Sequence, residues 1–164
     1  MRVVFLHGKE SGPNGSKIRG LRAAGWDVLA PDCEGIEDVA QRVAIAREAV
    51  MQEPGPLALV GSSMGGLTAA LLWSELAEHP EAPRIEGVFL LAPALNWSEA
   101  EGIAHVHPNT SILHGVQDDV VPIEASRVFA AAHRCPLLEV DDGHRLAASH
   151  PAIHAGVAAI AGQP

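Results

Sequence analysis

Six short apolar runs constrain this chain more than any other feature: VVFLH (3–7), DVLAP (27–31), LALVG (57–61), VFLLA (88–92), SILHG (111–115) and LLEVD (137–141). Most are apolar continuously rather than at alternate positions. A strand with one wet face alternates; a strand covered on both faces has no reason to. Between the runs the period changes. SKIRGLRAAG (16–25) ends in glycine, and IEDVAQRVAIAREAV (36–50) sets Ile36, Val39, Val43 and Val50 along one side at helical spacing. GGLTAALLWSELAEH (65–79) stops before Pro80, PIEASRVFAAAH (122–133) opens with proline, and PAIHAGVAAIAG (151–162) carries Ile153, Val157 and Ile160 on one stripe. Only PALNWSEAEGIAHVHPNT (93–110) lacks a helical pattern, and it reads as mostly loop. Alternating strands and helices predict an α/β fold with a parallel, doubly wound sheet and helices on both faces. The 164 residues suffice for one such domain, 1–164, with a substantial core.

In a parallel sheet every strand ends on the same edge, and ligands bind there. The residues just after each run are therefore the informative part of the sequence. Gly8-Lys9-Glu10 comes after the first, Ser63 after the third, Asp118-Asp119 after the fifth and Gly143-His144 after the sixth. A serine, an acid and a histidine, remote in sequence, converge on one edge. The serine sits in GSSMG (61–65), where Gly61-x-Ser63-x-Gly65 separates a predicted strand from a predicted helix. A serine hydroxyl is a weak nucleophile at neutral pH, so it needs a base within hydrogen-bond reach and an acid to orient that base. The bland alternative is a glycine-rich turn with no chemistry.

The chain resembles the α/β-hydrolase superfamily. GSSMG resembles its nucleophile elbow, LHGVQDDVVP (113–122) its acid loop and DDGHRL (141–146) its histidine loop, in the superfamily's order of serine, acid, histidine. FLHGKESGPNGSK (5–17) is similar to the loop of small uncapped bacterial members, the YqiA/YcfP-like group. The resemblance covers essentially the whole chain. It implies a minimal α/β-hydrolase fold: six parallel strands in the order 2-1-3-4-5-6, with no lid domain. It implies Ser63 as nucleophile, His144 as base and Asp118, rather than Asp119, as the orienting acid. It also implies an oxyanion hole built from the backbone N–H groups of Met64 and Lys9. Leu95 and Trp97, which come after the fourth strand, are candidates for the substrate pocket; the competing reading of Trp97 is that it packs its loop onto the domain.

The other chemistry-bearing residues get structural readings. His7 and His114 each precede a glycine at a strand end and read as turn-stabilising, with a place in the lining of the site as the lesser alternative. His105 and His107 fall at the opposite edge. His150 and His154 have the i,i+4 spacing of a metal pair but no third ligand, so neither a metal nor a cofactor is expected. Asp141 and Asp142 read as a solvated turn. Cys33 and Cys135 fall at opposite ends of their strands and are expected to stay unpaired, as in a reducing compartment. A net charge of -9 disfavours nucleic acid as a partner. No run approaches the length of a membrane span, and the opening MRVVFLHGKESG has too short an apolar stretch for a signal-peptide core, so a cytoplasmic protein is expected. The leading function is hydrolysis of small carboxylic esters through an acyl-enzyme intermediate. Acyl thioester cleavage by the same machinery is the alternative, and a non-catalytic binding or regulatory module is the rival from another class.

Overall fold

The computed structural model describes residues 1–80 and 82–164. Its strands are β1 (Arg2–Leu6), β2 (Val28–Leu29), β3 (Leu57–Ser62), β4 (Ile85–Leu91), β5 (Thr110–Gly115) and β6 (Leu137–Val140). They form one sheet in the order β2-β1-β3-β4-β5-β6, every pair parallel. The order reverses between β1 and β3, the second and third strands across the sheet, whose following connections lead to opposite sides. That is where an open sheet of this kind presents its crevice.

The continuous apolar runs have a simple cause. Side chains of a strand point alternately to opposite faces, and both faces here are covered. Val4, Leu6, Leu57, Leu59, Val88 and Leu90 belong to one buried cluster with α2 (Val39–Met51) and α3 (Met64–Leu76). Val3, Phe5, Ala58, Val60, Phe89 and Leu91 belong to a second cluster with α1 (Ser16–Ala23) and α5 (His150–Ala161). The remaining helix, α4 (Ile123–His133), contributes Ala130 to the first cluster.

Element boundaries differ from the sequence expectation by a few residues. Helix α2 starts at Val39 rather than Ile36 because Asp38 caps it: its carboxylate accepts the N–H groups of Ala40 and Gln41 at 2.8 and 3.2 Å. β2 is only two residues long. The connection from β4 to β5 is mostly loop, as expected, but contains one 3-10 helix over Ser98–Gly102. His107 lies at the edge remote from Ser63, its Nε2 3.1 Å from the carbonyl of Ile85 at the start of β4. Among the described residues, no helix is long and apolar enough to cross a membrane.

Candidate active site

β3 runs straight into α3 with Ser63 as the single hinge. Ser63 has φ 56° and ψ -120°, a conformation that a residue with a Cβ rarely adopts. The surroundings hold it there. Its N–H donates to Leu91 O at 2.9 Å, and its own carbonyl accepts from Gly66 at 2.9 Å, Leu67 at 3.2 Å and Ala94 at 3.0 Å. Both flanking glycines are required by close approach. A Cβ on Gly65 would lie 2.0 Å from Leu6 O, and one on Gly61 would lie 2.2 Å from Gly65 O. A serine before a helix ordinarily spends its hydroxyl on capping. This one makes no side-chain cap bond, so the hydroxyl is left for another partner.

That partner is His144. Its Nε2 lies 2.9 Å from Ser63 Oγ, and its Nδ1 lies 2.7 Å from Asp118 Oδ2. An ionised carboxylate only accepts, so Nδ1 carries the proton. In the neutral ring, Nε2 then presents its lone pair to the Ser63 hydroxyl. The Asp118 side chain is wholly buried and that of His144 is 18% exposed. Burial by itself would raise the Asp118 carboxyl. The hydrogen bond from His144 and those from the N–H groups of Val121 and Val120 outweigh it and hold Asp118 below the usual carboxylate range. The acid therefore stays charged at neutral pH.

Two loops frame this line of groups. The loop after β1 passes directly over the elbow: a Cβ on Gly8 would lie 3.4 Å from Ser63 Cβ and 4.0 Å from Ser63 Oγ. The loop is tied down on both sides. The His7 ring donates to Gly8 O at 2.8 Å and accepts the N–H of Cys33 at 3.0 Å. Arg42 of α2, 1% exposed, donates to the carbonyls of Ile36, His7 and Cys33 at 2.7, 2.8 and 3.1 Å. Lys9, the residue after Gly8, sends its ammonium to Glu37 at 2.9 Å. Met64 is the first residue of α3, a position where the helix offers its N–H no acceptor.

The histidine loop is anchored by Asp142, whose carboxylate accepts the N–H groups of Gly143 and Ala148 and the hydroxyl of Ser149, at 2.8, 2.9 and 2.8 Å. Leu146, completely buried with φ 51°, pins the same loop into the core. Asp142 is thus a staple closing the loop onto α5, where the sequence suggested a solvated turn. Asp141 is the exposed member of the pair, accepting from Gln117 Nε2 at 2.6 Å.

The remaining candidates are dispersed. Leu95 and Trp97 line an open groove of about 730 Å³ between the loop after β4 and helix α4, with Val128, Phe129 and His133 on the far wall. None of Ser63, Asp118 or His144 lines it. His150 and His154 pack against Gly20 of α1, 3.4 and 3.7 Å from where its Cβ would be. Among the described residues, no group of three or more His, Cys, Asp or Glu side chains could hold a metal ion. Three residues escaped the sequence reading. Arg42 and Asp142 act through contacts whose partners no local motif announces. His114 was legible first as a turn residue and only second as one lining the site; its Nε2 lies 3.0 Å from Asp118 Oδ2. Its one signal is a histidine at the buried end of a strand, four residues before an acid.

Comparison with known proteins gives a consistent picture. The profile of the alpha/beta hydrolase family matches residues 3–139, a stretch that includes Ser63 and Asp118 and stops short of His144. No curated protein matches the chain. Among solved structures, a protein of Xanthomonas campestris pv. campestris attributed to the alpha/beta hydrolase superfamily superposes with a TM-score of 0.79 at 28% identity, over 96% of this chain and 95% of that one. The monoacylglycerol lipase of Paleococcus ferrophilus gives 0.72 at 18% identity, over 96% and 94%. Esterase 2 of Thermogutta terrifontis, phosphorylated by paraoxon, gives 0.71 at 20% identity, over 99% and 83%. The last two speak for the fold alone.

Proposed function

The chain belongs to the alpha/beta hydrolase family, and on that premise we propose that it is a serine hydrolase cleaving small carboxylic esters, with residues 1–164 as one catalytic domain. The observation that carries the reading is the unbroken hydrogen-bonded line from Ser63 Oγ through both ring nitrogens of His144 to Asp118. In the first half-reaction His144 Nε2 takes the hydroxyl proton as Ser63 Oγ bonds to the substrate carbonyl carbon. The carbonyl π electrons move to oxygen, and the N–H groups of Met64 and Lys9 receive that oxyanion. Collapse of the intermediate expels the alcohol, which leaves with the proton from His144. Water repeats the sequence on the acyl-serine and releases the carboxylic acid. Asp118, charged and buried, stabilises the imidazolium formed in each half.

Thioesters take the same path with a thiol, protonated by His144, as leaving group, and the geometry does not favour one over the other. The setting proposed with this activity is the cytoplasm, consistent with Cys33 and Cys135 both being free. The testing experiment is active-site labelling. A fluorophosphonate probe should attach to Ser63 of the wild-type protein, and Ser63→Ala should abolish both labelling and turnover of p-nitrophenyl acetate. Wild-type protein that neither labels nor turns over esters and thioesters would instead be a binding module on a hydrolase fold. Labelling at Ser62 would reassign the nucleophile.

A further inference from the structure

Asp118 has a second imidazole partner. His114, near the end of β5, is completely buried, as is Ser126 of α4. His114 Nε2 lies 3.0 Å from Asp118 Oδ2 and 3.1 Å from Val121 O, and its Nδ1 lies 2.7 Å from Ser126 Oγ. Both atoms facing Nε2 are acceptors, so Nε2 carries a proton. Nδ1 is then free to accept from the Ser126 hydroxyl. Each ring nitrogen is used, and the ring's orientation is set by both.

We propose that His114 is a positioning residue for the hydrolysis proposed above: by donating to Asp118 Oδ2 from the core, it holds that oxygen in place for His144 Nδ1. The inference rests on that reading of Ser63, His144 and Asp118. Asp118 Oδ1 is fixed by the N–H groups of Val120 and Val121 at 2.9 and 2.8 Å. Without His114, Oδ2 would be held, among the described residues, by His144 alone. That residue stands on a loop, is partly exposed, and must exchange its proton between Ser63 and a leaving group in each cycle. His114 comes from a buried strand and is itself held by α4. The carboxylate therefore keeps its plane while the catalytic histidine changes charge. A purely structural histidine would need to satisfy Ser126 and Val121 but would have no reason to touch the acid.

Two variants separate these roles. In His114→Gln the amide nitrogen reaches about as far as Nε2, so the donor to Asp118 is kept. In His114→Asn the amide ends near the place of Nδ1, where its oxygen accepts from the Ser126 hydroxyl as Nδ1 does, so the contact with Ser126 is kept and the one with Asp118 is lost. Thermal unfolding checks that each is folded. The readouts are the low-field proton resonance of His144 Nδ1–H and the rate of fluorophosphonate attachment to Ser63. The expected result is a wild-type-like resonance and nearly wild-type labelling for Gln. For Asn the resonance should be lost or moved upfield and labelling slowed by up to about 100-fold, the cost of a slightly misplaced group. The proposal is overturned if folded Asn keeps the resonance and labels within twofold of wild type, or if Gln loses as much as Asn. Should Asn fail to fold, Gln decides alone: losing the resonance overturns the proposal, keeping it supports it. The resonance requires only His144 and Asp118. It therefore tests His114 even if wild-type protein fails to label and the hydrolase reading falls.

Discussion

Asparagine at position 118 is a perturbation whose consequences can be traced atom by atom. The N–H groups of Val120 and Val121 lie 2.9 and 2.8 Å from Asp118 Oδ1, so the amide oxygen of an asparagine would settle there. Its NH2 group then occupies the place of Oδ2, 2.7 Å from His144 Nδ1 and 3.0 Å from His114 Nε2. Both nitrogens carry protons in the native protein, and a donor cannot face a donor. His144 relieves the conflict by moving its proton to Nε2, and it then presents N–H rather than a lone pair to Ser63. His114 would have to do likewise, turning a lone pair toward Val121 O at 3.1 Å. The side-chain shape is conserved while the proposed base is switched off. The same change in a serine protease costs ~10⁴ in kcat, which corresponds to about 5 kcal/mol of transition-state stabilisation. Stability should shift less, because removing the charge also removes its desolvation cost. Turnover of p-nitrophenyl acetate, labelling rate and thermal midpoint should be measured side by side for Asp118→Asn and Asp119→Asn. Asp119 is exposed, so its variant should stay within about tenfold of wild type. A folded Asp118→Asn retaining more than about one hundredth of the activity would refute the reasoning, as would a larger loss at Asp119.

Other perturbations probe the frame around the site. Gly65→Ala would bring a Cβ to 2.0 Å from Leu6 O and 2.7 Å from His7 O, backbone atoms that cannot rotate away. It should cost about 3 kcal/mol or more in urea unfolding, at or above the upper end for overpacking, and an unchanged midpoint would show that the elbow tolerates the methyl. Asp142, where burial alone would raise the carboxyl, is held low by the Ser149 hydroxyl and the N–H groups of Gly143, Ala148 and Ser149. Asp118 is also held low. A lowered folded pKa contributes stability that is complete above the unfolded value near ~3.9 and is lost as pH falls toward the folded value. Urea midpoints should therefore hold down to about pH 4 and fall below it, with a shallower fall in Asp142→Asn; parallel curves would remove Asp142 from the account. Finally, the β4–β5 connection holds one 3-10 helix rather than a lid. kcat/KM should then not climb steadily from p-nitrophenyl acetate through butyrate and octanoate to palmitate, although each buried methylene could add up to ~0.8 kcal/mol; a steady climb would point to a covered acyl channel.

The sheet could be read from the chain because burial on both faces leaves an unmistakable imprint: β1, β3, β4 and β5 are almost wholly buried, and only the border strands β2 and β6 fall short of that. The placement of Ser63, Asp118 and His144 at one edge came from topology alone, since parallel strands share an end. What the sequence could not convey was contact between side chains remote along the chain. His114 and Asp118 are only four residues apart, yet their pairing depends on β5 ending where it does and on Ser126 arriving from α4. Arg42 was invisible for a similar reason, since its acceptors are backbone carbonyls, which any residue provides. Leu95 and Trp97, expected near a substrate pocket because they come after β4, line a groove that faces α4. After Ala94 bonds back to the Ser63 carbonyl, the loop turns along that helix.

The two outer strands of the sheet have a consequence for the behaviour of the protein in concentrated solution. An open sheet always presents two unpaired rows of N–H and C=O groups, which are templates for a strand from another molecule. Here one border is β2, with only two residues in register on Val3 and Val4. The other is β6, four residues long, with Leu138 54% exposed. Its neighbour Glu139 is gripped by Arg127 of α4 at 2.8 and 2.7 Å. Brevity protects the first border, and a fixed charge pair protects the second. Neutralising Glu139 would leave LLEV as a short, apolar ribbon with a free edge, and self-association would be expected to begin there.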